Sequence, residues 1–494
     1  MTEQRRSRPS RGDGARDGRP KRADGARDGR PKRADGARDA RPGTVRETSR
    51  SIALAALVRA DTGGFANVDV PVRLRRSRLD QRDKDWVTDA VYGTLRRRRV
   101  IDDLLRPLSA RPLELLDTEV RAALRLGAYQ LLNGVPAHAA VSETVAVVRP
   151  SGRKYVNGVL RALGRTGPPF PIAEDAGDAA ALSYPDWIVE ELTANFGPDD
   201  ARRALEAMNE PPAVTLRVNP RRGDVASVLR ELEVRGGSVE PGRLVPSALR
   251  ISGFGDIGAL RAVRDGRASP HDEGSQAIVA VLDPQPGEVI LDVASAPGGK
   301  ACAAAERMDD TGLVVAADVH AGRLRLVREA AGRLQLQSIQ ALVGAGDALP
   351  FTPGRFDRVL LDAPCSGLGV LRRRPEARWR VQPEQLPSLS ALQIRLLAAA
   401  GDAVRVGGRL VYSVCTLSQA ETIAVDEWAA EHLPWFVALD PPGAPFRPHG
   451  RGAVVLPHDA GSDGMFVLVL ERRSADLFQT GGPDTVEPDP VEPE

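Results

Sequence analysis

From about Pro270 onward the chain repeats one rhythm: a short apolar run of strand length, then a longer stretch with helical spacing. Strand-length runs fall at Glu288 to Asp292, Leu313 to Asp318, Ser338 to Val343, Asp357 to Asp362 and Arg409 to Ser413. Strands joined through helices run parallel, and a parallel sheet needs helices over both faces. The rhythm therefore predicts an α/β, doubly wound Rossmann-like domain over residues 269–472, with its ligand crevice at the carboxyl ends of the strands. Gly464 to Glu471 reads as a late antiparallel strand at the sheet edge.

Upstream the texture differs. Residues 44–167 space their apolar side chains three and four apart, as in Val120-Arg-Ala-Ala-Leu-Arg-Leu-Gly-Ala-Tyr-Gln-Leu-Leu132, which predicts an all-α bundle. Residues 180–268 mix a helix at Trp187 to Asn209 with short alternating strands near Val214, a small α+β connector. Residues 1–43 hold almost no large apolar side chain, and Gly14 to Asp24 recurs as residues 25–35. Such a segment buries no core and is expected to be a disordered basic tail, as residues 473–494 are expected to be a disordered acidic one.

Composition excludes several classes. Among 494 residues, 42% hydrophobic and 27% charged, no long uncharged apolar run spans a membrane, and no signal peptide follows Met1-Thr-Glu-Gln-Arg-Arg. A cytoplasmic protein is expected. Three cysteines with no Cys-x-x-Cys spacing make neither a disulfide framework nor a metal site, so free thiols are expected. The net charge of +2 hides basic clusters at Arg73, Arg75 and Arg76, at Arg96 to Arg99, and over Arg153 to Arg161. These suit RNA contact, although charge runs are often only solvated faces.

The first strand breaks into Ala294-Ser295-Ala296-Pro297-Gly298-Gly299-Lys300, a small-residue turn where backbone amides approach a nucleotide-like ligand. Asp318 ends the second strand, where a carboxylate accepts ribose hydroxyls, and Asp347 is read as ending the third, where it takes an adenine amino group. The turn lacks the spacing and the Ser or Thr of a phosphate-binding loop. S-adenosylmethionine is favoured over ATP and NAD.

Cys365, in Asp362-Ala-Pro-Cys-Ser-Gly, and Cys415, in Tyr412-Ser-Val-Cys-Thr, both follow strands of this sheet. Together with His271-Asp-Glu-Gly-Ser-Gln276, the 294–300 turn, Arg372 to Arg380 and Leu456-Pro-His-Asp, these words resemble the Sun (RsmB) branch of the Nop/Sun family of RNA cytosine-C5 methyltransferases. The 44–167 bundle resembles the NusB-like RNA-binding domain of that branch, and the connector its small RNA-binding subdomain.

The resemblance implies that residues 294 to 300, Asp318, Asp347 and Asp362 contact S-adenosylmethionine. It also implies that Cys415 is the nucleophile, that Cys365 assists proton removal or product release, and that the substrate is small-subunit ribosomal RNA. Asp362 would also hold the cytosine edge. His271 stands where the family usually has Gln, Val414 where it has Thr, and Ala294 where it often has Cys. Lys300 and nearby arginines are read as stabilising a thiolate, Cys302 as a buried apolar filler, Trp379 as a base stack or packing residue, Arg374-Pro-Glu376 as a loop near the RNA, and Arg217 as a phosphate contact or strand cap. Transfer or other RNA is the alternative substrate, and a non-catalytic NusB-like assembly factor the alternative class. Nothing in the sequence requires more than a monomer.

Overall fold

The structure, a computed structural model, describes residues 47–167 and 177–474; both expected tails lie essentially outside that range. Helices α1 (Ser49–Asp61), α2 (Ala66–Arg76), α3 (Gln81–Arg96), α4 (Arg98–Leu105), α5 (Thr118–Leu132), α6 (Ala137–Ala146) and α7 (Pro150–Thr166) form the N-terminal bundle. Central α5 is buried on nearly all sides, which its small residues permit: a Cβ on Gly127 would lie 2.3 Å from Leu160 Cδ1. Even Arg125 is buried there, donating to both Asp102 oxygens at 2.8 Å and to Asp61 at 3.0 Å. A desolvated guanidinium is tolerable only with carboxylates matched to it in this way.

The expected single helix from Trp187 to Asn209 is instead a pair, α9 (Asp186–Phe196) and α10 (Pro198–Ala207), after a short α8 (Gly177–Ala181). Gly197, at φ +80°, and Pro198 break the run, since glycine turns the chain and proline has no N–H to continue it. Ile188, Leu192 and Leu205 pack with Leu368, Leu371, Leu417 and Leu456 of the large domain. The connector's own core lies in the antiparallel sheet of β1 (Val214–Val218), β2 (Ser238–Pro241), β3 (Ala248–Ser252) and β4 (Ala268–Pro270), ordered 2-3-1-4, with α11 (Val225–Glu233) and α12 (Arg261–Arg264).

The large domain runs α13 (Glu273–Leu282), β5 (Val289–Asp292), α14 (Gly299–Arg307), β6 (Leu313–Asp318), α15 (Ala321–Leu334), β7 (Ile339–Val343), β8 (Phe356–Asp362), α16 (Leu386–Ala403), β9 (Val404–Val414), α17 (Ile423–His432), β10 (Phe436–Ala438), β11 (Arg447–His449), β12 (Gly452–Val455), α18 (Pro457–Ala460) and β13 (Met465–Arg472). Strands β7-β6-β5-β8-β9 are parallel. Alternate residues face opposite cores: Ile290, Leu360 and Val411 meet α13 to α15, while Leu291, Leu361 and Tyr412 meet α16 and α17.

Strand β13 is antiparallel to β9 as expected, but it is not an edge. Strands β12 and β10 pair along its other side, and Met465 to Leu470 are all buried. Among the described residues no helix is long and apolar enough to cross a membrane, and no cluster of three or more metal-ligating side chains occurs.

Candidate active site

Asp292, Asp318 and Asp362 close β5, β6 and β8, and Cys415 follows β9, so the strand ends bring these four residues to one rim of the sheet. The turn after β5 is as tight as its composition predicts. Gly298 adopts φ +99°, and a Cβ there would stand 3.0 Å from Val327 Cα, so only glycine fits. A cavity of about 500 Å³ opens against this turn, with Ala294, Ser295, Ala296, Pro297, Gly299 and Lys300 in its wall. Asp362, Cys365 and Cys415 line the same cavity.

Asp292, which the sequence reading did not single out, is the most perturbed acid of the rim. Neither carboxylate oxygen has a hydrogen-bond partner among the described residues, nor does Ser295 Oγ. Burial pushes its carboxyl from 3.8 up to about 7; the Ser295 hydroxyl, near the carboxyl although outside good hydrogen-bond geometry, and Lys300 oppose the rise, while Asp362 and Asp318 add to it. An unpartnered buried acid beside an unpartnered hydroxyl fits a ligand that carries a positive group into the cavity. The signal in the sequence was Asp292 itself, the polar end of an apolar strand directly before the turn.

Lys300 donates to Asp362 Oδ2 at 2.6 Å, and Ser413 Oγ donates to Asp362 Oδ1 at 3.0 Å. Burial opposes the lysine's charge, but Asp362 outweighs it and holds Lys300 above its ordinary value, so the ammonium persists. His271 is fixed differently. Arg217 Nη1 donates to its Nδ1 at 2.9 Å, and because a guanidinium only donates, Nδ1 accepts and the proton of the neutral ring sits on Nε2, beside Gly299. Burial, with the charges of Arg217 and Lys300, holds His271 well below 6.5, so it stays neutral. Arg217 is neither phosphate contact nor strand cap: it is a buried strut that forks onto Glu306 at 2.8 and 2.9 Å.

Two ligand residues read from the sequence stand apart from the cavity wall. Asp318 ends β6, but its oxygens accept from His320 N–H at 2.8 Å, Ala296 N–H at 3.3 Å and Arg323 at 3.3 Å. Asp347 does not end β7, which stops at Val343; it sits in the following loop, 3.4 Å from Arg395.

The thiols of Cys365 and Cys415 approach to 3.4 Å, although 50 residues separate them in the chain. Cys365 is held well above the ordinary thiol range, first by its hydrogen bond to Cys415 and then by burial. One carboxylate that the sequence reading missed fixes both loops. Buried Glu421 accepts from Ser366 N–H at 2.8 Å, Gln393 Nε2 at 2.9 Å, Thr416 Oγ1 at 3.0 Å and Ser366 Oγ, thereby tying the neighbours of both cysteines to one point. Gly369 completes the corner: its N–H donates to Cys415 O at 3.0 Å, and a Cβ on it would lie 2.2 Å from Gly464 O. Cys302 is buried behind the turn, where burial pushes its thiol up to about 11.

The arginine-rich segment after Cys365 is a joint between domains. Residues Pro375–Trp379 form a 3₁₀ turn rather than an open loop. Trp379 is a packing residue: its Nε1 donates to Leu95 O at 3.0 Å and Arg98 lies over its ring. Buried Arg378 stacks on Tyr184 and donates to Met208 O at 2.9 Å and Asn209 Oδ1 at 2.7 Å. Arg96, Arg98 and Arg99, read as surface cations, are likewise spent on Arg372 O, on Asp61 and Asp102, and on Tyr184 O and Asp186.

Comparison with known proteins agrees with this architecture. Residues 279–471 match the family described as 16S rRNA methyltransferase RsmB/F, residues 47–165 the NusB family, and residues 184–258 the Methyltr_RsmF/B-like ferredoxin-like domain. The chain is 33% identical over 451 residues to a probable ribosomal RNA small subunit methyltransferase B of Bacillus subtilis, covering 87% of this chain and 100% of that one. It is 35% identical to the ribosomal RNA small subunit methyltransferase B of Thermus thermophilus, covering 86% and 98%. The solved structure of PH0851 superposes with a TM-score of 0.78 at 25% identity, covering 86% of this chain and 99% of that one. A NusB-like bundle, a ferredoxin-like connector and a Rossmann-like sheet, aligned with relatives along nearly their whole length, make this chain a member of the RsmB/F family of S-adenosylmethionine-dependent ribosomal RNA methyltransferases.

Proposed function

We propose that this methyltransferase modifies C5 of a cytosine in 16S ribosomal RNA through a covalent bond between Cys415 and C6 of the base. The observation that carries the reading is the 3.4 Å pair of thiols in the wall of the cavity, since methylation of an amino group or a hydroxyl needs no thiol. C5 of cytosine is a poor nucleophile. Addition of the Cys415 thiolate to C6 converts C5 into an enamine carbon that can accept a methyl group. S-adenosylmethionine, when bound, supplies that methyl as an electrophile. Residues 294 to 300 would cradle it, Asp292 would answer its positive charge, and Asp318, at the end of β6, and Asp347, in the loop after β7, are proposed to contribute from beyond the cavity wall.

Asp362 is aimed by Lys300 and Ser413, and the exposed part of its carboxylate is available to the N3 and amino edge of the base. Lys300, in the wall of the same cavity as Cys415, brings a positive charge to the site. A water molecule then takes the C5 proton, the C5–H electron pair restores the C5=C6 double bond, and the C6–S bond breaks with its electrons returning to the Cys415 sulfur. Cys365 keeps its own proton and hydrogen-bonds the departing Cys415 thiolate, which speeds release.

Incubating Cys365→Ala enzyme with S-adenosylmethionine and 16S RNA should trap a denaturation-resistant protein–RNA adduct, and a further Cys415→Ala change should abolish it. Methylation of RNA by the unchanged enzyme with no adduct from the variant would remove these roles from the two thiols.

A further inference from the structure

The N-terminal bundle reaches the methyl-transfer cavity. The start of α2 and the turn that leads into it are pinned to the large domain: Ala66 N–H donates to Glu376 Oε1 at 3.2 Å, and Arg380 donates to Ala60 O at the end of α1 at 2.8 Å and to Gly64 O in the connection. This docking puts Asn67 into the wall of the cavity that Cys365, Asp362 and Cys415 line. Asn67 Oδ1 is shut off from solvent and accepts no hydrogen bond from any described residue. A buried amide oxygen left in that state costs about 1–3 kcal/mol, a cost that a ligand donor would remove.

What faces Asn67 narrows the ligand. The contacts that hold the α1–α2 corner come from Glu376 and Arg380, downstream of the Cys365 loop, and not from the 294–300 turn. Three further residues of that wall are arginines, of which Arg323 is held by Asp318 at 3.3 Å and Ala296 O at 2.6 Å. Arg373 is locked by Asp463 at 2.8 Å and Asp272 at 2.7 Å, whereas exposed Arg374 makes no side-chain hydrogen bond or ion pair among the described residues. A planar amide offers one acceptor and two donors, which suits the edge of a nucleobase, and a free guanidinium suits a phosphate. Unpaired RNA is read through such base edges.

We propose that Asn67 is a specificity-determining residue: its amide pairs with the edge of the base adjoining the target cytosine, while Arg374 takes the phosphate between the two nucleotides. The proposal rests on the RNA reading above and deepens it. The bundle then supplies part of the active site itself, beyond general affinity for RNA.

The test uses the full chain and 16S RNA transcripts. Wild-type enzyme and methyl-labelled S-adenosylmethionine first locate the modified nucleotide by sequencing, and transcripts carrying each alternative base on either side of it are then compared. Asn67→Ala should lose roughly tenfold in kcat/KM on the natural sequence, as expected for one base-edge pair, and should stop discriminating at one flanking position. Its KM for S-adenosylmethionine should not move. Asn67→Asp should weaken RNA use in the same way, and Arg374→Ala should raise KM for every transcript alike. Wild-type discrimination retained in both Asn67 variants overturns the proposal, as does a raised KM for S-adenosylmethionine with RNA use unchanged. Transfer of label to a base other than cytosine would instead overturn the cytosine reading, and discrimination at the neighbouring base would still decide the role of Asn67.

Discussion

Two corners of one crevice solve the problem of buried polar groups in opposite ways. In the cysteine corner the buried carboxylate of Glu421 is fully engaged by neutral donors from both thiol-bearing loops. In the corner proposed for the cofactor, the buried carboxylate of Asp292 has no hydrogen-bond partner among the described residues. The first arrangement fixes two sulfur atoms before any substrate arrives, the preorganisation that covalent chemistry needs. The second stores an unfavourable charge that a ligand can relieve, which couples affinity to local electrostatics. One rim of one sheet thus holds a finished site beside an unfinished one.

The contrast is broken most severely at the thiols. Cys415→Ser should reduce methylation by at least about 10³-fold in single-turnover assays, while Cys302→Ser leaves the rate unchanged because that thiol is buried behind the turn. Equal loss in both variants would mean that the damage is to packing and not to chemistry.

Glu421→Ala comes next. It removes the acceptor shared by Ser366, Gln393 and Thr416 and leaves Ser366 N–H without one, so the unfolding free energy should fall by about 3 kcal/mol, and kcat should fall about 10²-fold as the thiols drift apart. The KM for S-adenosylmethionine should stay near its original value. A matching rise in that KM would dissolve the distinction between the corners.

Asp292→Asn sharpens the other side. An acid whose carboxyl rises on folding, here from 3.8 to about 7, binds more protons folded than unfolded. Its contribution to stability is therefore lost as pH rises through that window. Ligand-free Asp292→Asn should be more stable than wild type at pH 8, by on the order of 3 kcal/mol, and nearly equal to it at pH 4. Thermal melts at the two values check this, and a difference independent of pH would deny Asp292 its raised value. The same variant should bind S-adenosylmethionine more weakly.

The smallest effect is expected at His271, which is neutral and carries its proton on Nε2. His271→Gln preserves a donor and should keep activity within about twofold, with no difference in pH profile between about 5.5 and 7.5. A step in that range lost in the variant would show that the histidine titrates.

Much of this molecule was legible in its sequence because the relevant signals are local. Alternating strand and helix lengths specify the layered sheet, and the Ala294 to Lys300 composition specifies a turn close enough for a ligand. The misses have physical causes. Asp347 was assigned to a strand end, but β7 stops at Val343, and one polar residue in a short loop says little about where a strand stops. Strand β13 was read as an edge because its partners β10 and β12 are only three and four residues long and carry little pattern.

Arginines taught the most. Arg96, Arg98 and Arg99 read in sequence as surface cations and Arg217 as a phosphate contact or strand cap, yet all four are struts on carbonyls or carboxylates, as buried Arg378 is. A guanidinium is the same side chain in either role, and only its surroundings determine whether it meets a phosphate or a buried acceptor.

The sequence by itself determined the order of the domains, the parallel sheet, the small-residue turn and the presence of two thiols after two strands, since each follows from periodicity or residue type within a few positions. Only the tertiary structure decided that those thiols meet at 3.4 Å, that Glu421 ties their loops together, that Asp292 is left without a partner and that Asn67 enters the cavity from another domain. Those outcomes depend on burial and on contacts between segments up to 320 residues apart, as between Ala60 and Arg380, and no local pattern encodes such a distance.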